Sequence, residues 1–177
     1  MKKMILLFTI VLSSMMVYAQ SPNAKEVKAI QVFLNQPSAD GTTNAQALGV
    51  NVSNPADWNG VTWSGGNVVA IDWKDKKLAG VLNLENFKKL KSVDVSRNQL
   101  TGLSVSGSAV LSELNANRNR LTQLKVDGCT ELAKLSVYHN RLLDLEFSGT
   151  PMLVNVNVSS NHLVTLNVSN ALNLTTL

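Results

Sequence analysis

Residues 90–106 read L-K-S-V-D-V-S-R-N-Q-L-T-G-L-S-V-S, and this pattern recurs every 21 residues. One column of the repeat is asparagine: Asn98, Asn119, Asn140 and Asn161. Aliphatic columns with the same period start at Leu90, Val93, Val95, Leu100, Leu103 and Val105. Several columns that share one period are the signature of a repeat protein.

The pattern predicts two short strands in each unit. In L-x-x-L-x-V, the last two apolar residues point to one side and alternate with polar residues that face solvent. The second half of the unit, Leu103-Ser104-Val105 in the quoted copy, does the same on the opposite side of the coil. The asparagines stand where the chain turns, and we expect their amides to bond backbone groups there as a structural ladder. An ordinary exposed turn is the alternative.

One unit cannot be stable alone. Its six columns of apolar side chains contribute about 10–20 kcal/mol, at roughly 1.5–3 kcal/mol each. Ordering its 21 residues costs about 20–40 kcal/mol of backbone entropy. Burial and hydrogen bonds shared between stacked units must supply the difference, so the sequence predicts a solenoid with parallel strands between successive turns.

The unit resembles a leucine-rich repeat, and most of all the 21-residue class of the bacterial internalin J type. The resemblance covers residues 68–177 and implies a right-handed coil with short parallel strands. About five units are expected over residues 67–177, the last of them truncated. The resemblance also implies an adhesive or interaction protein. The stacked cysteines of that class are replaced here by Val95, Ala116, Val137 and Val158.

Residues 20–66 are expected to form an N-terminal cap, because the end of a solenoid exposes its core unless it is covered. Asn23 and Glu26 have the spacing of a capping box, and the apolar residues after them predict a helix that ends before Pro37. Residues 37–56 are rich in Ser, Asn, Gly and Ala and are predicted as loop.

Three tryptophans lie close together at the end of this cap. Residues 58–63 (W-N-G-V-T-W) and 68–73 (V-V-A-I-D-W) resemble the N-terminal cap of plant-type leucine-rich-repeat proteins. Those proteins usually have a cysteine where Trp63 stands, so the resemblance implies aromatic packing in place of a cap disulfide. A carbohydrate-stacking platform is the alternative for these tryptophans.

Residues 1–19 have the pattern of a signal peptide. Lys2 and Lys3 precede an apolar run, and Ala19 precedes the expected cut before Gln20. The run of ~14 residues is shorter than the ~20 residues that cross a bilayer, which disfavours the alternative, a membrane anchor. We therefore predict a secreted or cell-surface protein that has no transmembrane segment after the leader is removed.

Composition and motifs exclude several functions. The net charge of +4, or +2 without Lys2 and Lys3, is too small and too evenly spread for a nucleic-acid binder. Cys129 is the only cysteine and is predicted to be a small linker residue, with a nucleophile or an intermolecular disulfide as alternatives. His139 and His162 are two residues out of register, so we expect them to face solvent. No enzyme motif occurs, and we predict no catalytic residue, cofactor or metal.

The sequence stops at Leu177, partway into the next predicted strand. A bare end would present apolar side chains and a free strand edge. The expectation is that the chain is a fragment of a longer repeat protein or that this end self-associates; simple fraying of the last turn is the alternative.

The outward positions beside the asparagine column vary between units, and every arginine of the chain lies there. Arginine suits bidentate contact with carboxylate or phosphate. The candidate ligand-binding residues of this predicted concave strip are Arg97, Arg118, Arg120, Tyr138, His139 and Arg141. A solvated face that only keeps the sheet soluble is the alternative. The predicted function is a non-catalytic module that binds a protein or glycan, and the alternative function is a structural spacer or scaffold.

Overall fold

The computed structural model describes residues 20–177, so the predicted signal peptide at residues 1–19 lies outside the described residues. The described chain is a parallel β-solenoid of about five turns with a short helical cap. This confirms the predicted period and the two strands of each repeat unit. No helix in the described part of the chain is long and apolar enough to cross a membrane.

One wall of the solenoid, the front sheet, has parallel strands that step by one repeat. Its strands are β2 (Asn67–Asp72), β4 (Ser92–Asp94), β6 (Glu113–Asn115), β8 (Lys134–Ser136) and β10 (Asn155–Asn157), and β1 (Val61–Ser64) pairs antiparallel with β2. Val93 pairs with Leu114, and Leu114 with Leu135. The hydrogen-bond register therefore repeats the 21-residue period of the sequence.

The opposite wall, the back wall, is built in the same way. Its strands are β3 (Ala79–Asn83), β5 (Gln99–Ser104), β7 (Gln123–Lys125), β9 (Asp144–Glu146) and β11 (Thr165–Asn167). β3, β5 and β7 form one parallel sheet, and β9 pairs with β11 in a second.

Aliphatic side chains from both walls share one dry interior. Leu100, Leu121 and Leu142 occupy equivalent positions in successive turns and are 0% exposed. Leu163, the next member of this row, is only partly buried. In the same last turn Val164 is 83% exposed, so burial decreases towards the C-terminal end of the described chain.

Glycines occupy the corner after the back wall. Gly107, Gly128 and Gly149 have φ angles of 72°, 70° and 67°, a left-handed conformation that other residues adopt at a cost. A Cβ atom on Gly149 would lie 3.1 Å from the backbone nitrogen of Gly128. Both the left-handed turn and the close approach of successive turns therefore favour glycine in this column.

The cap begins with helix α1, Ala24–Leu34, as its apolar spacing predicts. Asn23 caps the helix by accepting hydrogen bonds from the N–H groups of Lys25 and Glu26. The predicted capping box with Glu26 is wrong, because the buried Glu26 carboxylate accepts a 2.7 Å hydrogen bond from the Val68 N–H instead. Burial raises the pKa of Glu26, and this hydrogen bond opposes the rise. Glu26 thus ties the cap helix to β2.

The stretch 37–56, predicted as loop, contains helix α2, Asn44–Leu48, and a 3-10 helix, Pro55–Asp57. A capping box does occur here: the Thr43 hydroxyl accepts from the Gln46 N–H, and the Gln46 side chain accepts from the Thr43 N–H. The T-x-x-Q spacing is a recognised start signal for a helix. The loop prediction followed composition and overlooked that signal.

Amide side chains of the cap cover the free edge of the back wall. The Gln36 amide donates to the Val81 carbonyl at 2.9 Å and accepts from the Val81 N–H at 2.8 Å. Asn44 makes the same pair of bonds with Ala79, at 2.9 and 3.1 Å. These two amides replace the neighbouring strand that β3, the first strand of the wall, would otherwise lack.

The tryptophans pack within the cap and its junction with the first repeat. Trp58 and Trp73 are 3% and 1% exposed, and each indole N–H donates to a backbone carbonyl at 2.9 Å. Trp73 stacks on Phe33 with ring centroids 5.7 Å apart. A carbohydrate-stacking platform built on Trp58 and Trp73 is therefore wrong. Trp63 packs against Trp58, and its buried indole N–H has no hydrogen-bond partner among residues 20–177.

Candidate binding surface

Asparagine amides join successive turns at the exit of the front sheet. The buried Asn119 accepts a 3.0 Å hydrogen bond from the Leu100 N–H of the preceding turn. Its amide nitrogen donates to the Val95 carbonyl of that turn at 3.0 Å and to the Ala116 carbonyl of its own turn at 3.1 Å. Equivalent bonds are made by Asn98, Asn140 and Asn161. Each amide therefore bridges two turns at a fixed corner.

The residue before each asparagine is held in the left-handed conformation. Its φ angle is 58° at Arg97, 54° at Arg118 and 53° at His139. The N–H groups of these residues donate to carbonyls of the next turn at 2.8, 2.9 and 3.0 Å. All three side chains are exposed. The corner thus fixes the backbone of these residues and leaves their side chains in solvent.

The residues after the asparagines form a second exposed row. The N–H groups of Arg120, Arg141 and His162 donate to carbonyls of the preceding turn at 2.9, 2.9 and 3.0 Å. The predicted concave strip therefore consists of two rows, one on each side of the buried asparagines. We call the exposed cationic side chains of this corner, together with the histidines, the turn ridge: Lys74, Lys76, Lys77, Arg97, Arg118, Arg120, His139, Arg141 and His162.

Positive charge is concentrated on the turn ridge, which corrects the expectation of evenly spread charge. The ridge carries all four arginines and three lysines, and the acidic residues Asp40, Asp72 and Asp75 lie beside its lysines. With the histidines neutral, these residues together have a formal charge of +4. Residues 20–177 as a whole carry +2, so the rest of them carry −2.

Arg118, Tyr138 and His139 contact one another at the centre of the ridge. The Arg118 guanidinium lies 5.7 Å from the centroid of the Tyr138 ring, within cation–π range. The Tyr138 and His139 rings meet edge to face, with centroids 5.2 Å apart. The guanidinium of Arg118 beside the phenol lowers the pKa of Tyr138, and the charges of Arg97 and Lys74 act in the same direction.

Arg118→Gln is expected to raise the pKa of Tyr138 towards its ordinary value of about 10, because the substitution removes the cation that stabilises the phenolate. Tyr138 is the only tyrosine of residues 20–177, so its ionisation can be followed in the mature protein by near-ultraviolet absorbance. Arg141→Gln removes the same charge from the other row and is the matched control. Equal pKa shifts in the two variants would contradict the contact between Arg118 and Tyr138.

The front sheet contains a hollow of about 280 Å³. Its outward-facing lining consists of Glu113, Asn115, Lys134, Ser136, Asn155 and Asn157. Asn115 donates to the Asp94 carboxylate at 3.0 Å, and the Ser136 hydroxyl bonds the Asn117 amide oxygen at 2.9 Å. The structure thus brings polar side chains together in this hollow, and none of the arginines predicted from sequence is among them. The sequence does indicate that these residues face outward, because they alternate with the buried columns. It does not indicate that they line one hollow, because that depends on the shape of the sheet.

Cys129 lies inside the solenoid rather than at the binding surface. Its side chain is 0% exposed, and the thiol bonds the Val105 carbonyl at 3.2 Å. Ser108, one turn earlier, similarly donates to the Leu84 carbonyl at 3.1 Å. Burial raises the pKa of the Cys129 thiol to about 11. A nucleophilic role or a disulfide between folded chains is therefore wrong for this residue.

Metal-ligating side chains do not cluster in the described residues. No group of three His, Cys, Asp or Glu side chains within residues 20–177 could hold a metal ion. His139 and His162 are exposed.

No model of a known protein family matches the chain. No curated protein matches it in sequence, and no solved structure matches it in fold. The function is therefore inferred from the repeat pattern and from the geometry of the surface.

Proposed function

We propose that the chain is a leucine-rich-repeat protein of the internalin J-like class, coiled in the right-handed sense, and that it binds another macromolecule without catalysing a reaction. The 21-residue period and the parallel register between turns support this assignment. The buried asparagines at the corner support it further. The function is adhesion or recognition at the cell surface or outside the cell.

The observation that carries this proposal is the hollow in the front sheet. Its outward-facing side chains are polar, although Leu114, Leu135 and Val156 also line it, and they project from strands whose backbones are paired on both sides at β6 and β8. Such a rigid polar surface suits recognition, because a ligand has to immobilise few protein groups when it binds. We propose a protein as the ligand of this face.

The front sheet alone is too small for a tight complex. Five strands at ~4.8 Å spacing, four of them only three residues long, present roughly 200 Å². A stable complex usually buries about 800 Å² on each partner. Binding by this face alone is therefore expected to be weak.

Export requires that the leader is recognised and removed. We expect the protein from its native host to begin at Gln20 and to be found in the medium or on the cell surface. Mass spectrometry of the intact protein from each cell fraction measures both features. A cytosolic protein that retains residues 1–19 would contradict the proposed location.

Site-specific photo-crosslinking tests the proposed binding face. A photoreactive residue at Glu113 or Asn157, both exposed in the front hollow, should give a discrete crosslinked product with surface or extracellular proteins. The same residue at Gln123 or Lys125, both exposed on the back wall, is the matched control. Equal crosslinking from the two walls, or none from either, would reject the front sheet as the recognition surface. The spacer function would then be favoured.

A further inference from the structure

We propose that the turn ridge binds an acidic polysaccharide whose carboxylate or sulfate groups pair with the arginines of the two rows. This contact is separate from the hollow of the front sheet. It does not depend on whether that hollow binds a protein.

The arginines of the ridge lack counter-charges within the protein. None of the four forms an ion pair with an Asp or Glu of residues 20–177 within 4.0 Å. Arg118 instead lies against the ring of Tyr138. Exposed like charges repel one another on a surface with a local charge of +4. A polyanion laid along the corner relieves this repulsion and places carboxylate or sulfate oxygens beside guanidinium groups that bind them bidentately.

The backbone of the ridge is also preformed. Each cationic row advances by one turn of the solenoid, which is ~4.8 Å between paired strands. The backbone of Arg118 bonds the following turn, and that of Arg120 bonds the preceding one. The backbone positions from which the charged side chains project are therefore set by the solenoid rather than by the ligand. A linear polymer aligned with the solenoid axis would meet several cations in sequence, which favours a polymer over a single small anion.

Nucleic acid fits this ridge less well than polysaccharide does. Binding of single strands relies on exposed aromatic side chains that stack on successive bases. The ridge region has one aromatic residue besides its histidines, Tyr138, and Arg118 already covers part of it. Charge contacts without a stacking platform suit a sugar chain, for which a single aromatic ring is sufficient.

An acidic peptide is also disfavoured. Side chains on one face of an extended peptide are ~6.7 Å apart, so they fall out of step with rows that repeat every ~4.8 Å. Protein interfaces also depend on clusters of buried anchors, which are mostly Trp, Tyr and Arg. The ridge supplies arginines, but Tyr138 is its one aromatic anchor besides the histidines, and Arg118 already covers part of that ring.

The test uses the mature chain, residues 20–177, and measures its affinity for heparin and for polygalacturonate by titration calorimetry at low and at physiological salt. Replacing Arg118, Arg120 and Arg141 together by Gln should weaken binding at least about tenfold, as expected for the loss of several exposed ion pairs. Added salt should weaken binding of the unmodified chain, because exposed charges are screened. Circular dichroism checks that each variant is folded.

Two further variants separate the arginine rows from net charge. The control replaces Lys28, Lys89 and Lys125, which are exposed and lie outside the ridge, together by Gln and removes the same charge. It should change affinity less than about twofold if binding is confined to the ridge. Replacing the three arginines by Lys keeps the charge and should weaken binding severalfold, because the bidentate contact is lost.

Three results would overturn the proposal. If the triple Arg→Gln variant and the triple Lys→Gln control weakened binding equally, net charge alone would drive binding. Tighter binding of oligo-dT than of either polysaccharide would assign the ridge to nucleic acid. Failure of both polysaccharides to bind at low salt would show that the ridge has no such ligand. None of these results bears on the front-sheet crosslinks, so the two proposals fail independently.

Discussion

Asn119→Ala is expected to lower the free energy of unfolding by at least about 2 kcal/mol. The substitution leaves the Leu100 N–H without its side-chain partner, and the Val95 and Ala116 carbonyls each lose one of the two asparagine amides that they accept from. Each buried backbone group that loses its hydrogen bond costs roughly 1–3 kcal/mol. Urea unfolding followed by far-ultraviolet circular dichroism measures the change.

The control for this variant is Asn155→Ala, which removes an exposed amide from the hollow of the front sheet. We expect it to change stability by less than about 0.5 kcal/mol. Asn161→Ala should fall between the two, because Asn161 makes equivalent bonds but is only partly buried. If the three variants lost similar stability, the amides would not be bridging the turns as described.

Trp73→Ala is expected to cost about 3–5 kcal/mol, the usual range for a buried aromatic side chain. The change removes the stack on Phe33 and the 2.9 Å hydrogen bond to the Asn59 carbonyl. Because Phe33 belongs to helix α1, the loss should detach the cap from the first repeat. Proteolysis in the native state, together with urea unfolding, would reveal early cleavage within residues 20–66.

Trp63→Phe is the matched substitution in the same cluster. Its effect on stability should be close to zero or favourable, because the Trp63 indole N–H is buried without a hydrogen-bond partner in the described part of the chain. A loss as large as that of Trp73→Ala would mean that Trp63, rather than Trp73, anchors the cap.

The solenoid could be predicted from sequence because its period is visible in every turn. Leu100, Leu121 and Leu142 face the same interior, and the 21-residue spacing alone places them in one row. The glycine column at residues 107, 128 and 149 carries the same period, and its left-handed turn could also have been inferred. Periodic features can be predicted because the same residue pattern occurs in every repeat unit.

The cap was harder to predict because it occurs once and its contacts are distant in sequence. Glu26 has capping-box spacing, yet its carboxylate bonds Val68, 42 positions away. Gln36 bonds Val81, which is 45 positions away. Neither hydrogen-bond partner can be predicted from the local sequence pattern, because both depend on how the cap helix packs on the first strands.

The candidate site was predicted in part. Sequence placed Arg97, Arg118 and Arg120 beside the asparagine corner, and the structure exposes their side chains there. Their role in binding stays a prediction. It did not separate the two rows, because the left-handed φ angle at Arg97 and Arg118 follows from the fold of the corner. The hollow of the front sheet depends on three strands at once, and a single repeat does not reveal it.

Deletion of one whole turn directly tests whether the stacked turns share one interior. Removing residues 115–135 joins Leu114 to Ser136 and keeps every column in step, because these 21 residues make one period. Removing residues 115–125 puts the following turns out of register by about half a turn. If the turns share one interior, we expect cooperative urea unfolding for the first deletion and no folded β-structure for the second. Equal behaviour of the two deletions, whether both fold or both fail, would contradict it.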